Sequence, residues 1–190
     1  MQRNKIIQYL RSFVLLPVVV TSFSAGALVT ETAAPAVSQV KHYIETANPA
    51  AIKKALQEEQ AKKIDAYFRD RGMPLAGYGM KLVLEAEKNG LDWHVVAAVG
   101  VRESTGGKFA CKNPKAPNNP FGWHSCTAGF ASIDEAIETV ARNLGGNNPN
   151  TAHHYDGDLR ERLESYNGRV VASYADDVFD IMKKMEQYKI

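Results

Sequence analysis

Cysteine is scarce in this sequence, since Cys111 and Cys126 are the only two among 190 residues. Two thiols are too few for a zinc site of the usual kind. The adjacent His153 and His154 have no Asp, Glu or Cys at ligand spacing, so they are better explained as a solvated loop pair. We therefore predict no metal site and no cofactor.

Runs of basic charge are also lacking, because Lys and Arg are interspersed with Asp and Glu and the net charge is only +2. This distribution does not provide the positive patch that nucleic-acid binding requires, so no nucleic-acid partner is expected. Convincing strand alternation is missing as well, except for a few residues around Val170. The sequence therefore predicts an all-α or nearly all-α fold, and its length suits one domain plus a tail.

The N-terminal region has the layout of an export signal. Arg3, Lys5 and Arg11 precede an uncharged apolar stretch at 13–29, which contains small residues at 25–27 that suit a cleavage site. The stretch falls short of the ~20 apolar residues of a comfortable membrane span. A cleaved signal over 1–29 is the favoured prediction and a retained membrane anchor is the alternative. Both a cleaved signal and a retained anchor predict an exported protein, located in the periplasm, in the cell wall or outside the cell.

Residues 30–47 are rich in Ala, Thr, Ser and Val without an amphipathic pattern, and are predicted to be a linker. The domain is predicted to span 48–190. Asn48 as N-cap and Pro49 in the first turn begin its first helix, which Gly72 can end.

Two further helices are predicted before the middle of the domain. Pro74 is expected to open one that Gly90 stops, and Asp92 is expected to cap the next, from about 93 to 103. The latter helix is apolar nearly all the way round, which predicts a place in the centre of the domain.

A long irregular loop rich in Pro and Gly is predicted at 105–130. Long ordered loops are usually functional. Cys111 and Cys126 both lie in it, and in an exported protein an even number of cysteines favours a disulfide, which would contribute about 3 kcal/mol. Two unrelated buried thiols are the alternative.

Helix signals return after this loop. Ser132 and Glu135 predict a capping box for a helix that ends near Gly145. Asp158 predicts the start of a short helix, and a last helix is expected from about Tyr174.

Glu103 is the most informative residue, because it ends the most apolar helix where the Gly-rich loop begins. A carboxyl group there loses hydration, so its pKa should rise toward the range in which it can donate a proton. Cleavage of a glycosidic bond requires such an acid to protonate the leaving oxygen. The alternative is an ordinary surface carboxylate at a helix end.

The short sequence motifs around Glu103 resemble those of a known family. RESTGG at 102–107, NNPFGW at 118–123 and GF at 129–130 are similar to segments of the lysozyme-like superfamily of peptidoglycan hydrolases, most of all the endo-β-N-acetylglucosaminidases of autolysins and flagellar wall-piercing proteins. The resemblance covers roughly 64–190. It implies a lysozyme-like helical domain that acts on peptidoglycan glycan strands, with Glu103 as general acid. We expect this enzyme to be a monomer whose active-site loop is tied by the predicted disulfide.

A second resemblance is to the soluble lytic transglycosylases, which also have Glu-Ser and a Tyr-Asn motif like YNG at 166–168. Their Gly-Leu-Met-Gln signature is absent, with FGW at 121–123 in its place. Transglycosylation is therefore the second hypothesis, and a non-catalytic wall-binding module is the third.

Sugar rings bind to flat apolar surfaces and to amide or hydroxyl partners. The aromatic side chains predicted to stack on sugars are those of Phe121, Trp123 and Tyr166, and Tyr166 is also a candidate for positioning water or stabilising the cation. The other residues expected to contact substrate are Ser104, Asn119, Gly122 and Asn167. No second catalytic carboxylate is predicted: Asp134 and Glu135 are explained by a helix N-terminus, and Glu164 is only a weak candidate.

Overall fold

A computed structural model describes residues 48–190, which belong to one compact unit. The predicted signal or anchor and the predicted linker lie outside these residues. Within 48–190 no residue is in a β-strand, which agrees with the all-α prediction and leaves the segment around Val170 irregular. The six α-helices of this part of the chain are α1 (Pro49–Arg69), α2 (Gly79–Lys88), α3 (Val95–Ser104), α4 (Ile133–Leu144), α5 (Leu159–Tyr166) and α6 (Tyr174–Glu186).

Helix α1 begins as predicted, with the Asn48 side chain accepting from the Ala50 N–H at 3.0 Å and Pro49 in the first turn. The helix ends at Arg69 rather than directly at Gly72. Gly72 follows the end with φ +59, a left-handed conformation that glycine adopts readily.

Helix α2 does not begin at Pro74, so this prediction was wrong. The chain makes a turn from Pro74 to Tyr78, and α2 starts at Gly79. The reason is tertiary: Asp65 of α1 accepts from the Gly77 N–H at 2.8 Å and from the Gly79 N–H at 2.9 Å. A side chain from another helix therefore fixes the start of α2.

Helix α3 occupies the centre, as its apolar composition predicts. All six residues from Val95 to Gly100 are buried, and the helix packs against α2, α4 and α6. Its N-cap is His94 without a side-chain cap, so the prediction that Asp92 caps it was wrong; the Asp92 carbonyl accepts from the Val95 N–H instead.

The later helix starts follow their sequence signals closely. Ser132 accepts from the Glu135 N–H at 3.1 Å, but the Glu135 carboxylate bonds to the Ala131 N–H, so only half of the predicted capping box forms. Asp158 makes a complete capping box with Glu161 at the start of α5. Among residues 48–190, no helix combines the length and the apolar character needed to cross a membrane.

Candidate active site

Glu103 lies in the last turn of α3, where the helix leaves the core. The helix ends because Thr105 and Gly106 both adopt left-handed conformations, with φ values of 53° and 62°. The Glu103 carboxyl group is partly buried, and its Oε1 accepts a hydrogen bond from the Tyr174 hydroxyl at 2.5 Å. Tyr174 is the first residue of α6, so the packing of α3 against α6 creates this contact.

Burial raises the pKa of the Glu103 carboxyl group above its ordinary value. The hydrogen bond from Tyr174 and the nearby charge of Arg102 act in the opposite direction and favour the ionised form, but burial dominates. Burial and the neighbouring Glu103 likewise raise the pKa of Tyr174, so the phenol remains a donor. Arg102 itself is held by Asp177 of α6, with Nε 2.9 Å from Oδ2. The site therefore contains a carboxyl group that keeps its proton to a higher pH than an exposed carboxyl group does.

Glu103 borders an open cleft with a volume of about 730 Å³. Six of the residues predicted for the site line it: Glu103, Phe121, Gly122, Trp123, Tyr166 and Asn167. The cleft is also lined by residues that were not predicted as site residues: His124, Ser125, Thr151, His154, Tyr155, Ser165, Gly168 and Arg169. Segments from four distant parts of the chain thus meet around one carboxyl group.

A row of aromatic rings leads from the cleft wall to the carboxyl group. The ring centroids of Trp123 and Tyr166 are 6.0 Å apart, and those of Tyr166 and Tyr174 are 6.3 Å apart. The Tyr166 hydroxyl donates to the Phe121 carbonyl at 2.8 Å. Its hydroxyl is therefore used in holding the loop, and its ring is the part suited to contact a ligand.

The loop residues at 121 and 122 bring backbone close to Glu103. Gly122 has φ +63, and a Cβ atom there would lie 3.1 Å from Glu103 Oε2, so glycine permits this close approach. The Phe121 side chain is only 1% exposed, and a Cβ added at Gly100 would lie 3.1 Å from its ring. Phe121 is thus mainly a core residue that anchors the loop on α3.

Two predicted contact residues, Ser104 and Asn119, do not line the cleft. The buried Ser104 hydroxyl donates to the Pro120 carbonyl at 2.6 Å and accepts from the Gly107 N–H at 2.8 Å. The Asn119 side chain, 1% exposed, bonds to the backbone of Trp123 at both N–H and carbonyl. Both side chains form hydrogen bonds with backbone N–H and carbonyl groups of the loop, and these bonds position the cleft wall.

The cleft rim contains an unusual left-handed turn. His124, Ser125 and Cys126 all have positive φ, between 50° and 59°. Each such residue is disfavoured by about 1–2 kcal/mol, so neighbouring contacts must hold the turn. Cys126 lies at disulfide distance from Cys111, with the two Cα atoms 5.4 Å apart, and its carbonyl accepts from the Asn113 side chain.

Among the described residues that line the cleft, Glu103 alone has a carboxylic side chain. Glu164 lies beside the cleft on α5 and pairs with Arg169, with Nη1 2.9 Å from Oε2. Asp134 is exposed in the first turn of α4, where a negative charge is favourable. The arrangement therefore offers one proton donor together with aromatic and amide groups.

Tyr174, which contacts Glu103, is a residue of the candidate site that the sequence did not indicate. It follows Glu103 by 71 positions, and its sequence signal is that of a helix start. Comparison with protein-family models, with curated proteins and with solved structures found no match.

Proposed function

We propose that this chain is an exported enzyme that cleaves the β-1,4 glycan strands of peptidoglycan, with a lysozyme-like helical domain and Glu103 as general acid. The observation that carries this proposal is the partly buried Glu103 carboxyl group, with its raised pKa, at the edge of an open cleft. Such a group can protonate a glycosidic oxygen as the bond to the anomeric carbon breaks. The leading assignment is an endo-β-N-acetylglucosaminidase-like glycosidase.

The cleft has features that suit amino sugars. Trp123 and Tyr166 present ring surfaces on which pyranose faces can stack. The Asn167 amide borders the same cleft and can hydrogen-bond an N-acetyl group. As Glu103 loses its proton, the Tyr174 hydroxyl stabilises the carboxylate that forms.

The second candidate, a lytic transglycosylase, is favoured by the single carboxyl group of the described cleft lining. Glycosidases usually pair two carboxyl groups. In transglycosylation, Glu103 first donates its proton to the leaving oxygen. Its carboxylate then accepts the proton of the muramyl 6-hydroxyl as that oxygen bonds to the anomeric carbon. In hydrolysis, water replaces this internal hydroxyl, and the 2-acetamido oxygen of the sugar is the other group available to stabilise the cation.

Mass spectrometry of fragments released from purified sacculi tests the proposal. Reducing N-acetylglucosamine ends are expected for a glucosaminidase, and anhydro-muramic ends for a transglycosylase. Reducing muramic ends would indicate a muramidase. Strand binding without any release would support the third hypothesis, a wall-binding module, and refute catalysis.

Glu103→Gln is the matched variant for this experiment, because the amide keeps the size of the carboxyl group and removes its transferable proton. We expect product release to fall by about 10²- to 10⁴-fold, the usual contribution of general acid catalysis. Asp134→Asn is the control, because Asp134 is an exposed carboxylate of α4 and does not line the cleft. Its activity should stay within a few-fold of wild type.

Export is the remaining part of the proposal and rests on the sequence of residues 1–29. N-terminal sequencing of protein recovered from outside the cytoplasm distinguishes a cleaved signal from a retained anchor. A start close to residue 28 is expected for cleavage after the small residues at 25–27. An intact Met1 in the membrane fraction would indicate an anchor.

A further inference from the structure

The segment that follows α5 brings a positive charge to the cleft, which neutral sugars do not require. Arg169 lines the cleft there. The one acidic group of the described lining, Glu103, holds a proton in its acid form and is then neutral. Arg169 thus gives this part of the cleft a group that can attract an anion.

The backbone at Arg169 is in a conformation that is disfavoured for a residue with a Cβ atom. Gly168 and Arg169 have φ values of 65° and 58°, so two consecutive left-handed residues follow α5. Glycine tolerates this readily, whereas arginine does not. Non-glycine residues with left-handed backbone conformations are concentrated at functional sites, where the surrounding structure stabilises them. Here the turn is held by the Arg169 N–H, which donates to the Glu164 carbonyl at 2.9 Å.

The Arg169 guanidinium group has donors available for a ligand. Within the described part of the chain its side-chain partner is Glu164, which engages Nη1. Arginine has five N–H donors, so those on Nε and Nη2 remain. The Arg169 side chain is 65% exposed. The Ser165 hydroxyl, which also borders the cleft, has no hydrogen-bond partner among residues 48–190.

We propose that Arg169, with the Ser165 hydroxyl, forms a carboxylate-binding subsite that selects charged muramyl sugars over neutral glycan. This inference rests on the proposed function. The planar guanidinium group recognises carboxylates through paired hydrogen bonds. In peptidoglycan, a carboxylate is present on the lactyl group of strands that have lost their peptides and on the stem peptide itself. A polymer of N-acetylglucosamine alone has neither.

Binding measured in the inactive Glu103→Gln background tests the subsite without turnover. The probes are an N-acetylglucosamine oligomer, glycan strands stripped of peptide by an amidase, and strands that retain their peptides. Arg169→Gln is expected to weaken binding of a carboxylate-bearing strand by on the order of 10-fold and to leave the neutral oligomer unchanged. Arg160→Gln is the control, because Arg160 pairs with Asp176 and does not line the cleft.

A second variant changes binding in the opposite direction. Glu164→Gln removes the internal partner of Arg169, so it should tighten binding of the carboxylate-bearing strand, and high salt should reduce this gain. A purely structural role for the ion pair predicts weaker binding in both variants. Arg169→Lys should restore part of the affinity, because it keeps the charge and loses the paired geometry.

The outcomes separate the possible sources of the carboxylate. An Arg169→Gln effect on stripped strands identifies the lactyl carboxylate, and an effect confined to peptide-bearing strands identifies the stem peptide. An equal loss for the neutral oligomer, or no loss for any probe, overturns the subsite while cleavage by the wild-type protein upholds the proposed function. Failure of wild-type protein to bind or cleave any strand would refute both.

Discussion

The hydrogen bond between Tyr174 and Glu103 makes a quantitative prediction for Tyr174→Phe. The substitution keeps the ring, which is 1% exposed, and removes the hydroxyl that lies 2.5 Å from Glu103 Oε1. Because this hydrogen bond favours the ionised carboxyl group, its loss should raise the pKa of Glu103 further. The acid then stays protonated to higher pH, so the alkaline limb of the kcat profile should move upward.

The effect on rate follows from the same contact. A hydrogen bond to a charged group contributes about 1.5–3 kcal/mol, and the burial of Tyr174 prevents water from replacing it. The carboxyl group is only partly ionised in the transition state for proton transfer. If about half of that energy is realised there, about 0.8–1.5 kcal/mol is lost and kcat falls about 4- to 12-fold.

The assay is the initial rate of fragment release from sacculi across the pH range, with folded content checked by circular dichroism. Tyr155→Phe is the matched control, because Tyr155 lines the same cleft and is not a hydrogen-bond partner of Glu103 within residues 48–190. Its alkaline limb should stay in place. A lower kcat for Tyr174→Phe with no movement of the limb would refute the electrostatic role and indicate a packing effect.

Three other predictions concern stability and the loop. Because burial raises the folded-state pKa of Glu103, its contribution to stability is fully present below about pH 4.5 and is lost as pH rises through the folded-state pKa. Glu103→Gln should therefore unfold at a higher temperature than wild type at neutral pH, with the advantage shrinking toward acid; an advantage independent of pH would contradict this. Gly122→Ala should lose activity and about 1–2 kcal/mol of stability in urea unfolding, since φ is +63 and the new Cβ would crowd the carboxyl group; wild-type activity would refute the close approach. Intact-mass measurement should show Cys111 and Cys126 alkylated only after reduction, whereas alkylation of the native exported protein would exclude the bond.

Local signals in the sequence were sufficient to predict many of the helices. Asn48, Ser132 and Asp158 each cap the helix that they were expected to begin, because an N-cap is a contact between residues two or three positions apart. The central place of α3 also follows from composition, since a helix apolar on every side must be enclosed. The predicted starts of α2 and α3 were wrong. The start of α2 is fixed by a contact with Asp65 of α1, and α3 begins without a side-chain cap.

In the candidate site, too, some residues were predictable from local sequence and others depend on non-local contacts. The sequence indicated Glu103, because a carboxyl group at the end of the most apolar helix is expected to lose hydration, and it indicated the loop that follows. Which side chains surround the carboxyl group depends on how the helices and the loop pack together. The side chains of Ser104 and Asn119 form hydrogen bonds with the backbone of the loop instead of lining the cleft. Tyr174 reaches Glu103, and Arg169 reaches the cleft, from near the C-terminal end of the sequence. Hydrogen bonding between segments about 70 residues apart depends on how helices pack, and no local pattern in the sequence records it.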